Sequence, residues 1–207
     1  RPIFSTLLPN ILNKQEQHFK IHKPYGILSQ FSSADGKEQR KKRFLTEICP
    51  AHKGLMPIGR LDEKSEGLLL LTTSGKMSDF INRSGIEKEY IAQLDGVISQ
   101  SAVERLKSGV HIGIQGKKYV TKPCQAECMR SEPNLASPSP RNRAGKHRPS
   151  SWIRIILKEG KFRQIRKMTA AVGFPTLRLI RVRIGDIELD KLQPGEIQPI
   201  ENLQELI

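Results

Sequence analysis

Cysteine is scarce in this chain. The three present, Cys49, Cys124 and Cys128, are odd in number and sparse, which excludes a disulfide framework. Cys124 and Cys128 would need two further ligands to hold a metal. The histidines (His18, His22, His52, His111 and His147) show no paired ligand spacing, so no metal site is expected. A reduced, cytoplasmic setting fits this cysteine usage. Long apolar runs are also missing. None approaches the roughly eighteen residues of a membrane-spanning helix, and the longest, Leu68–Leu71, has the size of a buried strand. There is no Gly-rich phosphate loop and no internal repeat.

Acidic residues are the other shortage. Lys and Arg number 35 against 21 Asp and Glu, a formal net charge of +14. The cations gather at Lys37–Arg43, Arg141–Arg148, Lys158–Lys167 and Arg178–Arg183. Such clusters attract phosphate and steer association without reading sequence. Four of them in one chain favour a nucleic-acid partner over a merely well-solvated surface.

The length suits one large domain or two small ones. Residues 1–18 have weak periodicity and read as an N-terminal tail. Phe19–Lys23 alternates like a strand and Pro24-Tyr25-Gly26 turns it. Asp35-Gly36 reads as another turn, followed by a short basic helix with Phe44, Leu45 and Ile48 on one face. Ser74 is placed to cap a helix that turns Met77, Phe80 and Ile81 inward. Lys88–Leu94 alternates as a strand. Ser101 and Glu104 form a capping-box pattern, with Val103 and Leu106 inward and Gly109 as the stop. Residues 110–129 read as short strands and turns. Residues 131–151, rich in Ser, Pro, Asn and Arg, predict a flexible basic loop. Trp152–Leu157 is a strand. Phe162, Ile165, Met168 and Val172 then share one helical face, ended by Gly173 and Pro175. Leu177–Ile184 is a strand whose alternation shifts phase near Leu179-Ile180, suggesting a bulge or bend. Interspersed strands with few helices predict an α+β domain around a mixed, largely antiparallel sheet.

Chemistry concentrates in Gly59-Arg60-Leu61-Asp62, followed by Glu66-Gly67-Leu68-Leu69-Leu70-Leu71-Thr72. A glycine there allows a tight turn out of a strand and puts a charged pair at the rim of a core. Taken alone, Arg60 and Asp62 read as a turn ion pair, the commoner fate of such residues. Three other segments accompany it in order: His22-Lys23-Pro24-Tyr25-Gly26, Lys88-Glu89-Tyr90, and Glu159-Gly160-Lys161-Phe162-Arg163-Gln164-Ile165-Arg166-Lys167-Met168. Together, from about Phe19 to about Pro199, the chain resembles the ribosomal-RNA pseudouridine synthases of the small-subunit enzyme's family.

That resemblance implies the pseudouridine synthase fold over 19–207, with an active-site cleft at the centre of a bent sheet. It implies an isomerase that needs no cofactor and no metal. The implied partner is ribosomal RNA or a pre-ribosomal particle, the nearer likeness pointing to the large subunit; nothing in the sequence itself demands more than a monomer, and no membrane partner is expected. Many relatives begin with a small S4-type RNA-binding domain. About eighteen residues ahead of Phe19 are too few to fold as one, so none is expected here and RNA capture falls to the catalytic domain.

Residue by residue, the resemblance assigns catalysis to Asp62, as nucleophile or base near the sugar. Arg166 is its expected cation, against the alternative of a phosphate contact. Tyr90 is expected to stack on the uracil, against a plain core tyrosine, and Ile165 to pack near the base, against plain core. Arg60 is placed to fill the gap left by the flipped uridine or to grip the flanking backbone. Lys161, Arg163, Lys167 and Arg178 are expected on phosphates. Two rivals stand beside this reading. One is a non-catalytic RNA-binding protein of ribosome assembly on the same fold, which would not need Asp62. The other is a metal-dependent nuclease using Asp186, Glu188 and Asp190, if their alternation puts them on one strand face.

Overall fold

The computed structural model describes residues 16–50, 53–142 and 149–207. Most of the expected tail, and the 143–148 portion of the basic loop, lie outside those residues.

The leucine run builds the centre. Strand β3 (Glu66–Thr72) is buried at all seven positions, as a strand covered on both faces must be. β1 (His18–Lys23) and β2 (Met56–Ile58) both pair antiparallel with it, and β11 (Ile197–Ile200) closes the edge beyond β1. A second antiparallel block contains β4 (Lys88–Asp95) between β8 (Ser150–Leu157) and β9 (Thr176–Ile184). β7 (Gln125–Cys128) extends β8, and the two-residue β10 (Ile187–Glu188) folds back on β9. β5 (His111–Ile114) and β6 (Lys117–Val120) form a separate hairpin.

The two blocks meet along one short parallel seam, with Glu66 opposite Ile180 and Gly67 opposite Arg181. The result is a single mixed, mostly antiparallel sheet in an α+β fold. Gly67 makes the seam possible. Its φ is +103°, and a Cβ there would overlap the Arg181 carbonyl and sit 2.9 Å from Ile180 Cγ2.

The helices follow the expected positions with informative shifts. α1 (Gly36–Lys41) starts where a turn was expected, because the Asp35 carboxylate accepts from the Lys37 and Glu38 amides. Phe44 and Leu45 are buried beyond its end, at a separate 3-10 turn, so they do not share its face. α2 (Gly75–Arg83) is capped by Ser74 and buries Met77 and Ile81. Phe80 instead points outward, 56% exposed, because it lies about 100° around the helix from Ile81. α3 (Gln100–Ser108) buries Val103 and Leu106 and ends at Gly109. Its cap is Ser99, not Ser101, and Glu104 is taken up by Lys107 and Gln100. α4 (Gln164–Ala171) buries Ile165 and Met168, with Val172 just beyond. Phe162 precedes the helix and does not join that face. In β9 the register skips Leu177 and Val182, so the irregularities flank the buried run Arg178–Arg181 rather than split it.

The described part of the basic loop lies against the body of the protein. Leu135 packs on the core beneath β3 and β9, and the Arg178 guanidinium donates to the Ala136 carbonyl.

Candidate active site

Asp62 sits on the turn that carries the chain from β2 into β3. Gly59 opens that turn with a φ of +65°, which fits the role of the glycine in the motif. The backbone on both sides of Asp62 is clamped. Ser29 Oγ donates to the Leu61 carbonyl at 2.7 Å and accepts from the Leu61 amide at 2.9 Å. The Gly26 amide donates to the Glu63 carbonyl at 2.7 Å, and the Ser65 amide donates to the Asp62 carbonyl at 3.0 Å. Lys23, fully buried, donates to the carbonyls of Ile27, Pro24 and Glu63. The segment His22–Gly26 is thus the floor on which the Asp62 turn rests. Burial pushes the Lys23 ammonium down to about 7, although Glu66, Asp62 and Glu63 favour its charged form.

Arg166 reaches the same turn from α4. One terminal nitrogen donates to the Lys64 carbonyl at 2.8 Å, and the other donates to the Thr176 carbonyl at 3.3 Å. That leaves Nε, buried and without a hydrogen-bond partner, 3.9 Å from Asp62 Oδ2. At that separation the pair is an ion pair without a hydrogen bond. Burial lowers the Arg166 pKa from its ordinary value and Asp62 opposes the fall, but a guanidinium keeps its charge at any physiological pH.

Asp62 opens into a small cleft of about 70 Å³. Its lining includes Arg60, Tyr90, Glu159, Lys161, Arg163 and Ile165. Tyr90 comes from near the start of β4 and Ile165 from the first turn of α4, both buried. The Arg181 guanidinium lies 6.0 Å from the Tyr90 ring centroid. Arg60, Lys161 and Arg163 are exposed at the rim. Lys167 stands further back, donating to the Gly113 carbonyl of β5 at 2.7 Å.

Arg178 departs from expectation. Its side chain is buried and bonds both oxygens of the buried Glu66 carboxylate, at 2.9 and 3.0 Å. Two of its three nitrogens are thus engaged inside the protein, by the Glu66 carboxylate and the Ala136 carbonyl. Its neighbours in β9 also bond within the protein. Arg181 donates to the Leu68 carbonyl across the seam, and Arg183 pairs with Glu89 and Glu87. The charge run Arg178–Arg183, which reads as a phosphate cluster, is internal wiring of the sheet.

Glu159 is the site residue that sequence reasoning passed over. Its carboxylate accepts from Tyr119 Oη at 2.5 Å, the Lys122 amide at 2.9 Å and Gln164 Nε2 at 2.6 Å. Burial tends to raise its pKa, and these three donors outweigh that, holding it below the ordinary value. Glu159 therefore ties the β5–β6 hairpin to the start of α4. The available signal was its place beside Gly160 in the motif, but its partner Tyr119 lies in a segment with no motif.

The acidic row considered for a nuclease does not form a ligand set. Asp190 is turned to Lys20 at 2.7 Å, and among the described residues no three His, Cys, Asp or Glu side chains gather as a metal site. The three cysteines are free.

Known proteins agree with this architecture. Residues 17–171 match the family model described as RNA pseudouridylate synthase. Ribosomal large subunit pseudouridine synthase E of Vibrio parahaemolyticus is 37% identical over 183 residues, covering 87% of this chain and 72% of that protein. The protein of the same name from Xanthomonas axonopodis pv. citri is 41% identical, covering 84% and 88%. A crystal structure titled pseudouridylate synthase superposes with a TM-score of 0.71 at 26% identity, over 92% of this chain and 73% of the other. With a match that spans the clamped Asp62 turn, the Tyr90 strand and the Arg166 helix, this chain belongs to the RNA pseudouridylate synthase family.

Proposed function

We propose that this enzyme converts one uridine of large-subunit ribosomal RNA to pseudouridine, with Asp62 as the catalytic carboxylate. The observation that carries the reading is Asp62 itself, held by a clamped backbone at a cleft walled by Tyr90 and Ile165, with the Arg166 Nε facing it. The two relatives described above carry the large-subunit name, which supports that substrate over other RNAs.

The reaction breaks the bond between N1 and C1′, turns the uracil, and joins C5 to C1′. The C5 proton is lost and N1 gains one, so no atom is added overall. The uridine leaves its stack to enter the cleft, at a cost of a few kcal/mol. Tyr90 gives the base a face to lie on while it turns. Asp62 attacks at the sugar or takes a proton from it, and its charge offsets the cation developing at C1′. Arg166 supplies the positive charge that faces that carboxylate once RNA has excluded water. Its unpaired Nε–H favours a shorter approach to Asp62 in the closed complex, since an orphan buried donor costs about 1–3 kcal/mol. Arg60, Lys161, Arg163 and Lys167 hold phosphates around the cleft, and Arg60 also fills the gap left in the stack.

The test is incubation of unmodified large-subunit RNA with the parent chain and with Asp62→Asn, without added metal. Pseudouridine is mapped by carbodiimide-dependent stops of reverse transcription. One new stop with the parent and none with the variant is the expected result. A stop that persists with Asp62→Asn refutes the catalytic assignment. No stop with the parent refutes this RNA as substrate and revives the non-catalytic reading.

A further inference from the structure

Phe162 sits where a buried residue was expected, yet it is 69% exposed. Its neighbours Lys161 and Arg163 both line the Asp62 cleft. Arg163 holds a left-handed backbone, φ +52° and ψ +36°, and starts α4 with no side-chain cap. A non-glycine residue in that region costs of order 1 kcal/mol and persists only where the surroundings impose it. The strained step separates Phe162 from the helix whose apolar face it would otherwise extend. On one side of the ring stands the Lys167 ammonium, 5.1 Å from the centroid, itself fixed to the Gly113 carbonyl. The rest of the ring faces solvent at the rim of a positively charged cleft.

An aromatic ring left in water costs free energy unless something covers it in use. Its exposed chain neighbours are the cations Lys161 and Arg163, so the covering partner carries negative charge and flat apolar faces. Single-stranded RNA has both. Resting on the RNA-modifying reading above, we propose that Phe162 is a stacking shelf for a nucleobase flanking the target uridine. It grips the strand outside the cleft while the uridine itself lies on Tyr90. The Lys167 ammonium behind the ring braces the shelf.

The experiment uses the full chain and a labelled single-stranded RNA of cytidines around one uridine, with binding read by fluorescence anisotropy. Phe162→Leu keeps apolar bulk and loses the π-face, and Phe162→Tyr keeps the π-face. The expected result is binding weakened roughly tenfold by Leu and held within about twofold by Tyr, the loss of one stacked base. The dependence on salt is expected to be the same for all three proteins, because no phosphate contact is removed. Parent-like binding by Phe162→Leu overturns the shelf, as does equal weakening by Leu and Tyr. A shallower salt dependence in Phe162→Leu also overturns it, by showing that Lys167 or Arg163 was the true contact. Pseudouridine formation by the parent is scored separately. A parent that makes none refutes the reaction, while the oligonucleotide series still decides the role of Phe162.

Discussion

Replacing Arg178 with alanine separates a charge that binds RNA from a charge that holds the sheet together. The variant would leave the Glu66 carboxylate, 3% exposed, without the cation that bonds both its oxygens. It would also free the Ala136 carbonyl, which accepts from Arg178 at 2.8 Å. Removing one partner of a buried pair costs about 3–5 kcal/mol, out of a total stability of about 5–15 kcal/mol. With a urea dependence near 3 kcal/mol/M, the unfolding midpoint should fall by about 1–1.7 M. Fluorescence of the single tryptophan, Trp152, buried in β8, reports the transition. The double variant Glu66→Leu with Arg178→Met should recover most of the loss, because a well-packed apolar pair is often as stable as a buried ionic one. RNA binding by the folded single variant should keep the parent's salt dependence. An unchanged midpoint with a salt slope lower by about one would refute this reasoning and return Arg178 to the phosphate-binding surface.

Three further tests follow from the same contacts. Ser29→Ala removes both hydrogen bonds to Leu61 and should slow the single-turnover rate about tenfold or more while costing about 1–3 kcal/mol of stability; a parent-like rate would show that the Asp62 turn does not need its clamp. Lys23 has its folded pKa near 7 against an ordinary 10.5, so the unfolded chain binds the extra proton between those values and stability rises with pH across that window. The urea midpoint should therefore climb from pH 7 to 8.5 more steeply in the parent than in Lys23→Met, and parallel curves would contradict the burial argument. Gly67→Ala drives a Cβ into the Arg181 backbone at φ +103° and should destabilise by more than about 3 kcal/mol, whereas a parent-like melting temperature would mean that the seam can spread.

Much of this was legible in the chain because local pattern and tertiary role agreed. Leu68–Leu71 forms a strand buried at every position, and Lys88–Leu94, read as a strand, lies within β4. Asp62, Tyr90 and Arg166 were picked out by ordered motifs, and the cleft gathers Asp62 and Tyr90 with Arg166 behind. What was hidden depended on partners distant in sequence. Nothing near Arg178 reveals that Glu66 will meet it, so a run of arginines in a strand looked like a phosphate surface. Glu159 gained its importance from Tyr119, which only the hairpin brings near. The cap of α3 fell to Ser99 because Ser101 lies within the helix, a choice between two serines that composition does not make. Phe162 satisfied a helical period that begins only after the turn at Arg163.

The parallel seam between β3 and β9 has a consequence for when the protein becomes active. Asp62 leads into β3 from the first third of the chain, and Arg166 precedes β9 near the end, so the two face each other only after Glu66 and Gly67 have met Ile180 and Arg181. Contacts so distant in sequence form late, because the closing loop is long. A chain still being translated carries its carboxylate on a turn with neither counter-charge nor wall. On the catalytic role proposed for Asp62, competence arrives all at once, when the second block docks.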